Sequence, residues 1–175
     1  MATVYRARDK RLERDVAIKF MHTHLGAHPD FTERFNREAR AAARLSSPYV
    51  VAVHDRGVWA SPEGTRAYLV MEYVPGPDLR AELSRLGSFT LGTSLTLGEQ
   101  VLRALTSAHA AGIVHRDVKP ENIMLTAPVP DPPETLESHP DVYAKVTDFG
   151  LARAVTSNAT ATGQVMGTVA YLAPE

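Results

Sequence analysis

Apolar and polar positions first alternate along this chain and later fall into a helical period. Residues Thr3 to Arg8 read as a strand, and Asp9 to Arg14 as a charged turn. In Asp15-Val-Ala-Ile-Lys-Phe-Met21 the alternation puts Val16, Ile18 and Phe20 on one face and Ala17 and Lys19 on the other. Pro29-Asp30 suits a helix start, and Phe31, Phe35, Ala39 and Ala42 or Ala43 form a stripe at helical spacing, predicting a helix to about Leu45. Glu38 lies one residue off that stripe. Two more strands are predicted at Val50–Trp59 and Arg66–Glu72, joined by a Ser-Pro-Glu-Gly turn.

After Pro75-Gly76-Pro77 the period becomes helical. Leu97, Val101, Leu102, Leu105 and Ala108 make one apolar face, and Gly112 stands where a left-handed residue would stop the helix. Thr126 to Asp141 contains five prolines, which excludes a central strand or a helix and predicts an extended surface loop. No internal repeat is present. A β-rich lobe followed by a helical lobe predicts an α+β protein with a cleft between them.

Composition narrows the function classes. The 175 residues are 44% hydrophobic, enough to bury a core. Nineteen Lys and Arg against twenty Asp and Glu leave a net charge of −1, which argues against a nucleic-acid module. The absence of cysteine excludes disulfides, thiol catalysis and cysteine–zinc sites. The start, MATVYRARDKR, lacks the apolar core of a secretory signal, and no apolar run reaches the ~18 residues of a membrane span. A cytoplasmic location without membrane contact from this segment is therefore expected.

The densest chemistry is His115-Arg-Asp-Val-Lys-Pro-Glu-Asn122, directly after the Gly112 stop. Any one of these residues in a loop is ordinarily solvated surface, but the ordered set is not. It resembles the catalytic loop of protein kinases, with Val118 for the usual leucine. The resemblance extends through Val16-Ala-Ile-Lys19, Glu38, Asp148-Phe-Gly150 and Ala173-Pro-Glu175, and is nearest to the bacterial "eukaryotic-like" serine/threonine kinases. It implies a two-lobed fold, with residues 1–74 as the N-lobe and hinge. Residues 75–175 would be a partial C-lobe, with the Pro-rich insert at 126–141 and an activation segment at 148–175.

The roles implied by that resemblance follow from phosphoryl transfer, in which the protein mainly positions groups and stabilises charge. Lys19 would hold the α and β phosphates of ATP, oriented by an ion pair with Glu38. Asp117 would accept or orient the proton of the attacking hydroxyl. Lys119 would meet the γ phosphate and marks serine/threonine specificity. Asn122 and Asp148 would offer hard oxygen ligands to Mg2+. Val4 and Ala17 would cover one face of the adenine and Met124 the other, with Met71 as gatekeeper and the backbone of Glu72 and Val74 bonding the base edge. Thr160 and Thr162 fall where related kinases carry regulatory phosphates, and Thr168 would shape the substrate site beside Asp117.

The same resemblance implies protein substrates, a homodimer as a route to activation, and a longer relative anchored in a membrane with this domain in the cytoplasm. Here the nucleotide-loop pattern Gly-x-Gly-x-x-Gly-x-Val enters only at Ala2 and Val4, and the family pattern continues past Glu175. A truncated kinase is therefore expected, with part of the apolar face around Leu97–Ala108 exposed. The insert is expected to bulge outward without disturbing Asn122 or Asp148. Two alternatives share these motifs: a nucleotide-binding scaffold without turnover, and a small-molecule kinase of the aminoglycoside-phosphotransferase type. Lys-Pro-Glu in the loop and Ala-Pro-Glu at 173–175 oppose the latter.

Overall fold

The computed structural model describes residues 2–21, 29–61, 64–131, 136–149 and 171. Strands β1 (Thr3–Asp9), β2 (Arg14–Phe20), β3 (Val53–Ser61) and β4 (Gly64–Glu72) form an antiparallel sheet in the order β1-β2-β4-β3. The period-2 pattern of β2 sets its two faces. Ala17 turns inward, while Phe20 sits at the centre of an aromatic cluster, its ring 5.9 Å from Tyr5, 5.7 Å from Trp59 and 5.7 Å from Tyr68. Helix α1 (Pro29–Ala42) lays Phe35 and Ala39 against Met21, Val51, Ala67, Leu69, Met71 and Val74, forming the first core. The helix ends three residues before Leu45. The predicted strand at Val50 begins instead at Val53, because Val50 pairs in parallel with Val146 from the other lobe.

Helix α2 (Leu79–Leu86) starts where the Asp78 carboxylate accepts the Ala81 N–H at 2.8 Å, and α3 (Leu91–Ala110) where Thr90 Oγ1 accepts the Thr93 N–H at 3.2 Å. Helix α3 stops as its sequence predicts. Gly112 takes φ 73°, its N–H reaches His109 O at 2.9 Å, and the Ile113 N–H reaches Ala108 O at 2.9 Å. That stop aims the next residues back along the cleft. The His115–Asn122 segment follows, then the hairpin of β5 (Ile123–Leu125) and β6 (Ala144–Val146).

The hairpin connection corrects one expectation. Among its described residues the Pro-rich insert is anchored inward at Val129 and Leu136. Val129, Leu136 and Val142 are buried with Leu97, Ile123, Leu125 and Ala144 in a second core. Its backbone is tied down as well: Glu82 accepts the Val129 N–H at 2.6 Å, and Arg85 donates to Val129 O at 2.7 Å and to Asp131 at 2.6 Å. Prolines exclude regular structure, but they leave the apolar residues between them free to pack. Leu91, Leu95 and Leu102 on α3 are exposed. A third core of Leu45, Val50, Ala104, Ala108, Val146 and Phe149 joins the two lobes.

Candidate active site

Register brings the loop residues together. Ile123 pairs with Val146, and the Thr147 N–H donates to Asn122 O at 2.9 Å, so Asn122 and the run to Asp148 lie at one end of the hairpin. The insert leaves from the other end, between Leu125 and Ala144, and so does not intrude on Asn122 or Asp148.

His115 is 1% exposed and pins the loop from beneath. The Asp117 N–H donates to its Nδ1 at 3.2 Å, so that nitrogen carries no proton, and Nε2–H donates to Thr147 O at 2.8 Å. The imidazole is therefore neutral, and burial holds its pKa below the ordinary value against the pull of Thr147 O, Asp148 and Asp117. Its ring packs against Phe149 at 4.7 Å, tilted by 59°. Arg116 and Asp148 both take left-handed φ values, 69° and 67°, an uncommon state for residues with a side chain.

Asp117 Oδ2 accepts from Lys119 Nζ at 2.8 Å and from Asn122 Nδ2 at 3.1 Å, and Asn122 Nδ2 also donates to Asp117 O at 2.8 Å. One ammonium and one amide thus converge on one carboxylate oxygen, and Asn122 keeps its Oδ1 as an acceptor. Across the cleft, Lys19 Nζ donates to Asp148 Oδ2 at 2.6 Å, although the two residues are 129 positions apart. This corrects the expected partner of Lys19: its ion pair is with Asp148, where the sequence reading expects Glu38. Lys19 is the next-to-last residue of β2 and lines the cleft, whereas Glu38 lies half-buried on α1.

A cavity of about 280 Å3 opens between the lobes, lined mainly by apolar atoms. It takes in the expected Val4, Ala17, Lys19, Met71, Glu72, Val74, Met124 and Asp148. Arg6, Val51, Tyr73, Glu121 and Thr147 also line it and were not singled out from the sequence. Arg6 was within reach of the pattern, because it follows Val4 by two along β1 and so shares its face. Its guanidinium lies 4.7 Å over the Tyr73 ring and bonds Asp15 at 2.6 Å. Val51 and Thr147 arrive through pairing across the lobes, which no local pattern announces.

Among the described residues no group of three or more His, Cys, Asp or Glu could hold a metal by itself. The expected donors are the Asp148 carboxylate and Asn122 Oδ1, and Glu121 adds a carboxylate to the cavity lining. That set fits Mg2+, which takes few protein ligands and completes its shell with water and phosphate oxygens. Thr160, Thr162 and Thr168, Gly150 and Ala173-Pro-Glu175 lie outside the described residues.

The comparisons agree on the family. The protein kinase domain model matches residues 1–175, and the chain belongs to the protein kinase family. It is 46% identical over 177 residues to the serine/threonine-protein kinase PknA of Mycobacterium tuberculosis, covering 100% of this chain and 38% of PknA. The kinase domain of Mycobacterium tuberculosis PknI superposes with a TM-score of 0.68 at 31% identity, over 86% of this chain and 55% of that one. Rad53, solved in complex with AMP-PNP, superposes at 0.66 with 28% identity, over 86% of this chain and 35% of that one. The chain spans between 21% and 38% of the curated relatives it matches.

Proposed function

We propose that this chain carries the catalytic centre of a serine/threonine protein kinase that transfers the γ-phosphoryl group of Mg-ATP to protein hydroxyls. The observation that carries the reading is the meeting of two clusters. Lys19 and Asp148 face one another at 2.6 Å beside an apolar cavity, and Asp117, Lys119 and Asn122 are bonded together at the adjoining end of the β5–β6 hairpin.

Each residue then has one task. The cavity between Val4, Ala17 and Met124 takes the adenine, with the hinge at Glu72 and Val74 along its edge. Lys19 exchanges part of its contact with Asp148 for phosphate oxygens. Asn122 and Asp148 would hold Mg2+, which would supply charge neutralisation on the phosphates. Lys119 steadies both Asp117 and the γ phosphate. The substrate hydroxyl oxygen bonds to the γ phosphorus, the bond from that phosphorus to the β–γ bridging oxygen breaks, and ADP leaves with the electron pair. The hydroxyl proton passes to Asp117, whose Oδ1 is the oxygen not taken up by Lys119 and Asn122.

The same proposal assigns Thr160 and Thr162 as phosphorylation sites and Thr168 to the substrate site, from their positions before and within Gly167-Thr168. It includes protein substrates, homodimerisation as a route to activation and a cytoplasmic site of action. No helix among the described residues is long and apolar enough to cross a membrane.

The test is Mg-dependent ATP binding in parallel with phosphoryl transfer to a basic protein. Lys19→Met is expected to weaken both. Asp117→Asn is expected to leave binding intact and to lower transfer by about 10^2–10^4. Binding without transfer in the unsubstituted chain would support a nucleotide-binding scaffold instead.

A further inference from the structure

Helix α1 turns Phe35 and Ala39 inward, and its opposite side bears a second cavity of about 480 Å3, lined by Glu33, Asn36, Arg37, Arg40, Ala41 and Arg44. A step of three puts Arg37 and Arg40 on one face of α1, and Arg44, in the turn just past Ala42 where its N–H bonds Ala41 O at 3.1 Å, lines the same cavity. All three are exposed. Elsewhere Arg6, Arg8, Arg85 and Arg103 each meet a carboxylate, whereas among the described residues these three meet none.

The rest of the lining has the same polarity. Asn36 Oδ1 accepts from Arg56 Nη1, which leaves the amide nitrogen of Asn36 to donate into its surroundings. Among the described residues the cavity therefore offers guanidinium and amide donors against a single carboxylate, Glu33, at its N-terminal end. An anion with several acceptor oxygens satisfies such a set. Phosphate suits it better than a lone carboxylate, because planar guanidiniums bond its oxygens in pairs and it carries nearly twice the charge. The patch runs for about 10 Å along the last turns of the helix and the turn after it, enough for one phosphoryl group and its flanking backbone. A nucleic acid would need a longer track, and the chain's net charge of −1 does not supply one.

We propose that the outer face of α1 is a docking site for a phosphorylated protein segment, with Arg37, Arg40 and Arg44 holding the phosphate. The site is separate from the nucleotide cavity, so it stands or falls independently of the kinase reading.

A fluorescein-labelled, capped alanine heptapeptide with a central phosphothreonine serves as the probe, read by anisotropy. The 175-residue chain and its Lys19→Met variant are both expected to bind it at least about tenfold more tightly than the unphosphorylated peptide. Arg40→Ala/Arg44→Ala is expected to lose that preference while keeping ATP binding. Arg40→Lys/Arg44→Lys keeps the charge but not the forks, and is expected to fall between. Equal binding of the two peptides, or unchanged binding by the double alanine variant, would overturn the proposal. So would inorganic phosphate alone competing as strongly as the phosphopeptide, since the site would then recognise the free ion.

Discussion

Buried His115 couples the catalytic loop to acid. Its pKa is depressed by burial, so the folded chain binds its proton less readily than the unfolded chain does. The unfolded state then takes up more protons as pH falls through the ordinary value of about 6.5. Stability from this group is fully present above that value and is lost as pH drops towards the folded pKa. His54 is depressed by burial too and adds in the same direction. Urea midpoints at pH 7.5 and 5.5 should therefore differ, and His115→Gln should narrow the difference while lowering both. An unchanged gap would mean that His115 does not carry the dependence. Gly76 gives a second test at this scale. A Cβ there would sit 2.8 Å from the Ala127 nitrogen and collide with Leu125 O, both backbone atoms. Gly76→Ala must move the hinge or the base of the insert, and a loss of about 1–3 kcal/mol is expected by denaturant unfolding.

At the scale of elements, the clamp between α2 and the insert separates a buried contact from an exposed one. Glu82 is 2% exposed, accepts the Val129 N–H and two Arg85 bonds, and has its pKa lowered first by Arg85. Glu82→Ala strands the Val129 N–H and should cost about 2 kcal/mol. Asp131, with its side chain 75% exposed, meets Arg85 at the rim, and Asp131→Ala should leave the midpoint almost unmoved. Because the Glu82 pKa is lowered, the stability it adds is present above the ordinary carboxylate range and is lost as pH falls through it.

The clamp also marks where the sequence was readable and where it was not. Strands β1, β2 and β4, helix α1 and the Gly112 stop follow from alternation and helical spacing, and the family resemblance names eight of the thirteen residues lining the cavity between the lobes. Burial of Val129, Leu136 and Val142 was not legible, because scattered apolar residues among prolines carry no period. The Lys19–Asp148 pair was not legible either, since both residues were singled out but their partnership depends on how the lobes close. Residues 49–52 explain the misplaced strand start: they bond β6 across the lobes, with Val51 N–H to Val146 O at 3.0 Å and Val146 N–H to Tyr49 O at 2.8 Å.

In the whole molecule, the lobes are joined, among the described residues, by an ion pair besides Lys19–Asp148. Lys145 Nζ on β6 meets Glu72 at 2.8 and 3.0 Å, and Glu72 also accepts the Ala52 N–H at 3.2 Å. Glu72 lines the nucleotide cavity, so the hinge and the strand leading to Asp148 are fastened together. The two partners differ in exposure, with side chains 8% and 30% accessible. Removing Glu72's charge strands a buried ammonium, whereas removing Lys145 leaves a carboxylate with water and an amide. Glu72→Gln should therefore destabilise more than Lys145→Met, by about 1–3 kcal/mol against 1 or less. Equal effects in thermal unfolding would show that the pair is as well solvated on both sides.

The central claim is that the facing clusters at Lys19–Asp148 and Asp117–Lys119–Asn122 transfer phosphate to protein hydroxyls. Its most direct measurement is incubation with γ-labelled Mg-ATP and a basic protein, followed by acid hydrolysis and identification of the labelled amino acid. The account predicts phosphoserine and phosphothreonine, absent when Asp117→Asn replaces the unsubstituted chain. Label on neither residue, from a chain that binds Mg-ATP, would contradict it.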